Sequence, residues 1–331
     1  MIAVAALSAG AGARGQSSLG GKRVSTASGT FLKIGVGARA MGMGGSYVAV
    51  ADDATSLFWN PAGIAFLGSR MGGFSHLDYV ADIDYEHLSL VTPTGPLFGS
   101  WGVQIGMLST DILLTDENHP FGWTTAGGEA ATASFRDWIA GITYASRLND
   151  LLSVGVTAKY FREELATEVS GPTTNGVLVD VGVLYHVGVH GLKLGGAVSN
   201  FGNDLRPGGS YARHLEGGGT EDTRYKGYPP PTVFRVGVSY EPILPTGAML
   251  LTSELVHPND NSETLRMGGE YRLREAVAVR AGIHGGADSE SYSFGLGAWV
   301  GPVGRRTQVD YAFTDMSYLT HVHRIDLAFS F

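Results

Sequence analysis

From Ser69 to Phe331 the sequence alternates apolar residues with small or polar ones, in segments of about ten bounded by Gly, Pro, Asn or Asp. A repeat of two places successive side chains on opposite faces of a strand, and a helix, with its repeat of 3.6, does not satisfy it. No apolar run approaches the ~18 residues that a membrane-crossing helix needs. An all-β fold is the expectation. Eight segments are clear, at 101–107, 138–144, 152–160, 177–185, 234–240, 277–283, 292–300 and 307–313. Fainter ones at 71–79, 85–91, 192–198, 249–255, 265–271 and 322–331 bring the count to about fourteen.

The connections fall into two classes. Those after the third, fifth and seventh segments are long, 110–133, 162–173 and 201–230, and those after the fourth, sixth and tenth are short, near 147–150, 188–191 and 273–275. Long loops at one end and tight turns at the other are the layout of outer-membrane barrels, whose bacterial single chains also have an even strand number. The expected fold is a transmembrane antiparallel β-barrel of about fourteen strands in the outer membrane. An even wall returns to its starting side, so both termini are expected to be periplasmic.

Parity assigns the faces. Leu152, Val154, Val156, Ala158 and Tyr160 share one side of the fifth segment, and Ser153, Gly155, Thr157 and Lys159 the other. The sixth and tenth repeat this, so Asp180, Arg266 and Glu270 fall with Lys159 on the non-apolar face. That pattern suits a soluble sandwich as well as a barrel, but a charge on a lipid face near the midplane costs about 2–4 kcal/mol. Aromatic placement favours the membrane. Trp101, Trp138, Tyr144, Tyr160, Tyr185, Tyr240, Tyr271 and Tyr292 sit at the ends of apolar faces, where interfacial girdles are built. The last segment alternates Ile325, Leu327, Phe329 and Phe331 with polar or small residues. This resembles the C-terminal strand of outer-membrane proteins that is read by the barrel-assembly machinery.

Composition removes several function classes. Cysteine is absent, which excludes disulfides, thiolate zinc sites and thiol catalysis. The net charge is −8 and the basic residues are dispersed, so no footprint for nucleic acid exists. Residues 1–13 read as a signal peptide, truncated at its start, with an apolar core at 2–7 and Ala11-Gly12-Ala13 as the small-residue cleavage pattern. Residues 14–68 are then a linker and hatch segment, and 69–331 the barrel.

Within the hatch segment, glycine is dense and Pro61 fixes φ and withholds a donor, which suits a compact, irregular element packed against something larger. Gly37-Ala38-Arg39-Ala40, Gly42-Met43-Gly44-Gly45, the run from Tyr47 to Asp52-Asp53, and Trp59-Asn60-Pro61-Ala62-Gly63 resemble the N-terminal signature of PorV/PorQ proteins. The related FadL-type transporters share the Asp-Asp and Asn-Pro-Ala elements. The resemblance implies a fourteen-stranded barrel with an N-terminal hatch in the lumen, in agreement with the strand count. Gly42, Gly44, Gly45, Asp52, Asp53, Asn60 and Pro61 are its hatch motif.

Two functions follow from the resemblance. A PorV-like protein is a non-enzymatic component of type IX secretion that binds cargo C-terminal domains and translocon partners. For that role the exposed aromatics of the long connections, Phe121, Trp123, Tyr211, Tyr225 and Tyr228, are candidate contacts, with packing within the loop as the competing role. A FadL-like protein carries long-chain fatty acids or other hydrophobic compounds through a hatch-gated pocket, and needs an apolar cavity and a strand kink. Inward apolar residues Leu108, Ile139, Leu178, Leu184 and Trp299 are candidates for such a lining. The secretion reading is preferred here, and a structural barrel with neither role is the third possibility.

Other chemistry is weaker. The glycines lack Walker or dinucleotide spacing, and no catalytic constellation is present, so neither enzyme nor cofactor is expected. Asp52 and Asp53 are expected to bond local backbone amides rather than to hold a metal. His321 and His323 share a side of the last segment, too few for a metal site. Inward charges of mixed sign, among them Lys159, Asp180, Arg235, Glu254, Arg280, Asp310, Arg324 and Asp326, are expected to form an ion-pair network holding the hatch.

Overall fold

The computed structural model describes residues 27–331 apart from 96–97, 116–118, 120–121, 123–130, 167–170, 190, 216–217, 245–246, 275, 287–289 and 302–306. Fourteen antiparallel strands close into one barrel. They are β1 (Met71–Tyr79), β2 (Ile83–Gly95), β3 (Gly99–Leu113), β4 (Thr132–Arg147) and β5 (Leu152–Leu165). Then come β6 (Thr173–His186), β7 (Lys193–Gly202), β8 (Val233–Tyr240), β9 (Gly247–Pro258) and β10 (Thr264–Leu273). The ring is completed by β11 (Val277–Gly285), β12 (Tyr292–Val300), β13 (Thr307–Asp315) and β14 (His321–Ser330). Neighbours in sequence pair throughout, and β1 closes on β14 with Met71 opposite Ser330.

Every expected segment is a wall strand. β2 to β6 are longer than the alternation alone predicts, 13 to 16 residues each. Their extra residues, such as Thr110-Asp111 and Arg162-Glu163-Glu164, are polar on both faces yet still paired. Backbone pairing outlasts the apolar band there, because hydrogen bonding does not require an apolar side chain. A further two-stranded ribbon, Ser210–His214 with Thr220–Arg224, rises in the β7–β8 connection.

The outward face is apolar around the ring, with Leu88, Ile105, Val156, Val181, Val236, Val279, Leu296 and Ile325 all exposed. A continuous apolar surface on this scale is foreign to a water-soluble monomer. Girdle aromatics pair across strands, Trp101 with Tyr144 at 5.0 Å and Trp138 with Tyr160 at 5.4 Å between ring centroids. The register of β6 on β7 shifts between Val179 and Val181. Asn200 takes a φ of 61° at this bulge, its N–H donates to Asp180 at 2.7 Å, and Asp180 pairs with Lys159 at 2.8 Å. A bulge tied down by buried polar groups is a built feature of the wall.

The wall begins and ends side by side, at the end carrying the short turns. The N-terminal segment starts at the other end: Ser28 donates to Pro229 of the β7–β8 connection at 3.0 Å. It crosses the ring and leaves at the short-turn end, where Phe66 stacks on His186 at 4.0 Å. The first described residues and Phe331 thus lie at opposite ends of the barrel.

Candidate functional site

The segment from Ser28 to Leu67 is made of short turns, 3₁₀ at Thr30–Lys33 and Pro61–Phe66 and α at Ala38–Gly42 and Ser56–Trp59. Its chemistry allows little more, because glycines and Pro61 interrupt any longer helix. Tertiary burial stabilises it. Met41, Met43, Tyr47, Leu57, Trp59 and Ile64 are fully enclosed. Each such side chain contributes about 1.5–3 kcal/mol against the entropy of ordering the chain.

The wall makes room with glycine. Gly102, Gly155, Gly182, Gly195, Gly237, Gly268, Gly282 and Gly295 all face inward, and a Cβ on any of them would collide with the segment. At Gly268 it would come within 2.7 Å of the Met43 carbonyl carbon, and at Gly195 within 2.6 Å of Ala49 Cα. Several are cross-strand partners: Gly155 with Gly182, Gly195 with Gly237, and Gly268 with Gly282. This belt takes eight of the chain's 49 glycines. In the sequence, the shared inward parity of these glycines is the one signal of the belt.

Polar groups of the wall bind the segment's backbone. Glu254 accepts from the N–H groups of Tyr47 and Val48, both at 2.8 Å, and Asp326 accepts from Ala38 N–H. The Gly44 N–H donates to Ser293 at 3.0 Å, and Gly44 and Gly45 have φ of 71° and 65°. Gly42 lies against Gly295, 3.0 Å from its Cα where a Cβ would stand. Asn60 donates to Val48 O at 2.7 Å and to Val183 O of β6 at 3.0 Å, and accepts from Ala62 N–H at 3.1 Å. It thereby caps the turn that Pro61 begins and fastens it to the wall.

Arg39 is the electrostatic centre. Its Nε and Nη2 donate to the two oxygens of Glu270 at 2.9 and 3.1 Å, and Nη1 reaches Asp52 at 2.5 Å and the Tyr47 hydroxyl at 2.8 Å. Glu270 also receives Arg280 at 2.6 Å, which continues to Asp310 at 2.6 Å. Burial disfavours charge on Asp52, but the Arg39 guanidinium outweighs it and holds the carboxyl well below the usual range. Asp53 accepts from Thr55 N–H at 2.8 Å, as a local cap does, and its other oxygen accepts from the Tyr47 hydroxyl at 2.5 Å and lies 3.4 Å from Arg39. Both acids thus join the Arg39 cluster, which their positions in the sequence did not reveal. The ion-pair network anticipated for the lumen is present, with Arg39 as its member from the segment.

Above the segment, at the end of the long connections, lies a cavity of about 480 Å³. Its floor is Phe31 and Ile34, and its walls include Leu108, Phe135, Val256 and Met316. Charges face it from opposite sides of the ring: Asp137 on β4 and Glu163 on β5, and Arg235, Arg266 and Arg324 on β8, β10 and β14. Glu290, from the β11–β12 connection, pairs with Arg266 at 3.5 Å. Burial raises its carboxyl, but Arg266, His284 and Arg324 together hold it below the usual range. Of the inward apolar residues singled out from the sequence, Leu108 lines this cavity. Ile139, Leu178 and Leu184 are buried elsewhere, and Trp299 lies near the short turns.

The loop aromatics divide. Phe121 and Trp123 lie outside the described residues. Tyr211 of the ribbon packs on Tyr225, just beyond it, at 5.2 Å between centroids, and Tyr228 sits under the Lys226 ammonium at 5.8 Å. His321 and His323 face outward near the long connections, where His323 meets the Tyr311 hydroxyl at 2.8 Å. Among the described residues no group of His, Asp or Glu has the arrangement of a metal site.

Residues 3–244 match the family model of an uncharacterised protein family, UPF0164. No curated protein matches the chain. Among solved structures it is similar to the toluene transporter TbuX of Ralstonia pickettii, with a TM-score of 0.58 at 14% identity over 89% of this chain and 97% of that one. The CymD monoaromatic hydrocarbon channel gives 0.56 at 15% identity, over 90% and 98%. The toluene transporter TodX of Pseudomonas putida gives 0.54 at 12% identity, over 88% and 96%. At such identities the likeness is one of fold. The matching family carries no assigned role, so the comparisons do not extend to PorV/PorQ membership or to secretion.

Proposed function

We propose that this chain, which belongs to the uncharacterised protein family UPF0164, is an outer-membrane barrel that takes small hydrophobic molecules into the vestibule above its N-terminal segment. The cavity of about 480 Å³, with its apolar floor and walls, carries this reading. Its size and mixture of apolar surface with a few polar groups are those of a small-molecule site. The apolar outward face supports the membrane location, and the short-turn end would then be periplasmic and the vestibule external. In this reading the segment acts as a hatch, because it lies across the lumen against the glycine belt and passage requires it to shift. The barrels of similar fold that are described as hydrocarbon channels favour transport over secretion, and Tyr211 and Tyr225 spend their faces on each other rather than on cargo.

Filling the vestibule is the direct test. Leu108→Trp places an indole in the cavity while leaving the segment's seat intact. Saturable binding of toluene to the purified barrel in nanodiscs, followed by calorimetry, is expected for the parent chain and to fall about tenfold or more in the variant, a loss of roughly 1.4 kcal/mol. Unchanged binding in Leu108→Trp would move the site away from this cavity.

A further inference from the structure

We infer that the vestibule is built for a hydrophobic organic cation, an ammonium group carried on an aromatic or aliphatic body, whose charge sits against Asp137 and Glu163. The inference rests on the vestibule being the uptake site and names the class of molecule that it takes. Asp137 and Glu163 are cross-strand partners on β4 and β5, and both face the cavity. Asp137 is 2% exposed, and its Oδ1 has no hydrogen-bond partner. Glu163 accepts only a weak donor, the Thr174 hydroxyl, at 3.2 Å. Among the described residues neither forms an ion pair, and the connections beyond them, 114–131 and 166–172, contain no lysine or arginine. A buried carboxylate without a partner is costly, and a ligand cation supplies what the chain withholds.

The surroundings select the kind of cation. Phe135 precedes Asp137 by two residues and Phe161 precedes Glu163 by two, so each acid has a ring beside it on the inward face. Phe31 stacks on Phe161 at 5.9 Å and meets Tyr85 edge-on at 6.1 Å. Aromatic faces next to carboxylates favour an alkylammonium, which is weakly hydrated and fills apolar space. A divalent metal needs more oxygen ligands than this pair offers. Of the cations that face the vestibule, Lys33 of the segment is engaged by Asp260 at 2.6 Å, Arg235 by Glu254 at 3.6 Å and Arg266 by Glu290 at 3.5 Å, and Arg324 donates to the Thr314 hydroxyl at 3.0 Å. An anion would compete with the carboxylates already on three of these four cations, whereas an ammonium meets two acids that, among the described residues, have no cation.

The test compares three probes of one shape class on the full-length barrel in nanodiscs: benzyltrimethylammonium, its neutral isostere neopentylbenzene, and phenylacetate. The ammonium is expected to bind about tenfold tighter than the isostere. Asp137→Asn and Glu163→Gln are expected to lose that advantage while keeping isostere binding, which also reports that the variants are folded. Equal binding of ammonium and isostere, unaffected by either substitution, overturns the cation inference and leaves hydrophobic uptake standing. Preference for phenylacetate overturns it in favour of the arginine wall. Failure of all three probes to bind the parent chain overturns both the inference and the uptake reading.

Discussion

Gly268→Val is expected to unseat the N-terminal segment and convert a closed barrel into a conducting one. The wall at this point touches backbone, not a side-chain end: a Cβ at Gly268 would press on Met43, and the adjacent Gly282 already carries Gly44 at the same height. Neither side has a flexible end to move aside, so the segment must shift as a unit. Overpacking of this kind typically costs about 1–3 kcal/mol, which is a roughly 5- to 150-fold change in the ratio of seated to unseated forms. Gly195→Val, on β7 beside Val48 and Ala49, should act in the same direction. The sites share no contact, so the double variant should combine both effects. Planar-bilayer recordings read the outcome directly, as channel steps that the parent chain lacks. Gly72→Val is the control, since its added Cβ would meet nothing closer than 3.8 Å. Conductance appearing equally in Gly72→Val would tie the opening to general damage and not to the seat.

The belt also shows where sequence reading stops. Strand number, faces and girdles were legible because each is a local consequence of alternation: Val177 to Tyr185 reads the same whether or not its neighbours are known. The hatch motif was legible only as a resemblance, and what its residues touch was not. Asn60 binds Val183, and Glu254 binds the backbone at Tyr47 and Val48, contacts that span 123 and more than 200 residues. Nothing in a local pattern encodes such pairings. The inward glycines carry no local mark, because an alternation test scores them only as non-apolar. Of the vestibule only Leu108 was legible. Asp137 and Glu163 become neighbours through the β4–β5 register, and Phe31 joins them only because the segment enters from the end where the long connections lie. Polar strand extensions beyond the apolar band, as in β5, hid the acids among what looked like loop.

Arg39→Met is expected to be the most destabilising single change in the lumen. The guanidinium binds both oxygens of Glu270 and at the same time Asp52 and Tyr47, so its loss strands buried acceptors on the segment and on β10 together. Removing one partner from a buried pair typically costs about 3–5 kcal/mol, most of it from the charge left behind. Glu270 retains Arg280 at 2.6 Å and Arg272 at 3.3 Å, which places the expected loss toward the lower end of that range. Equilibrium urea unfolding of the detergent-refolded barrel should show the midpoint falling with an unchanged slope. Arg39→Lys should recover little, because an ammonium cannot reproduce the two-pronged contact with Glu270. Arg39→Met combined with Glu270→Gln separates the contributions: if the stranded charge dominates, the double variant is more stable than Arg39→Met alone. A double variant weaker than either single change would instead assign the loss to packing around Trp59 and Tyr47, and would make the cluster a secondary support of the segment rather than its clasp.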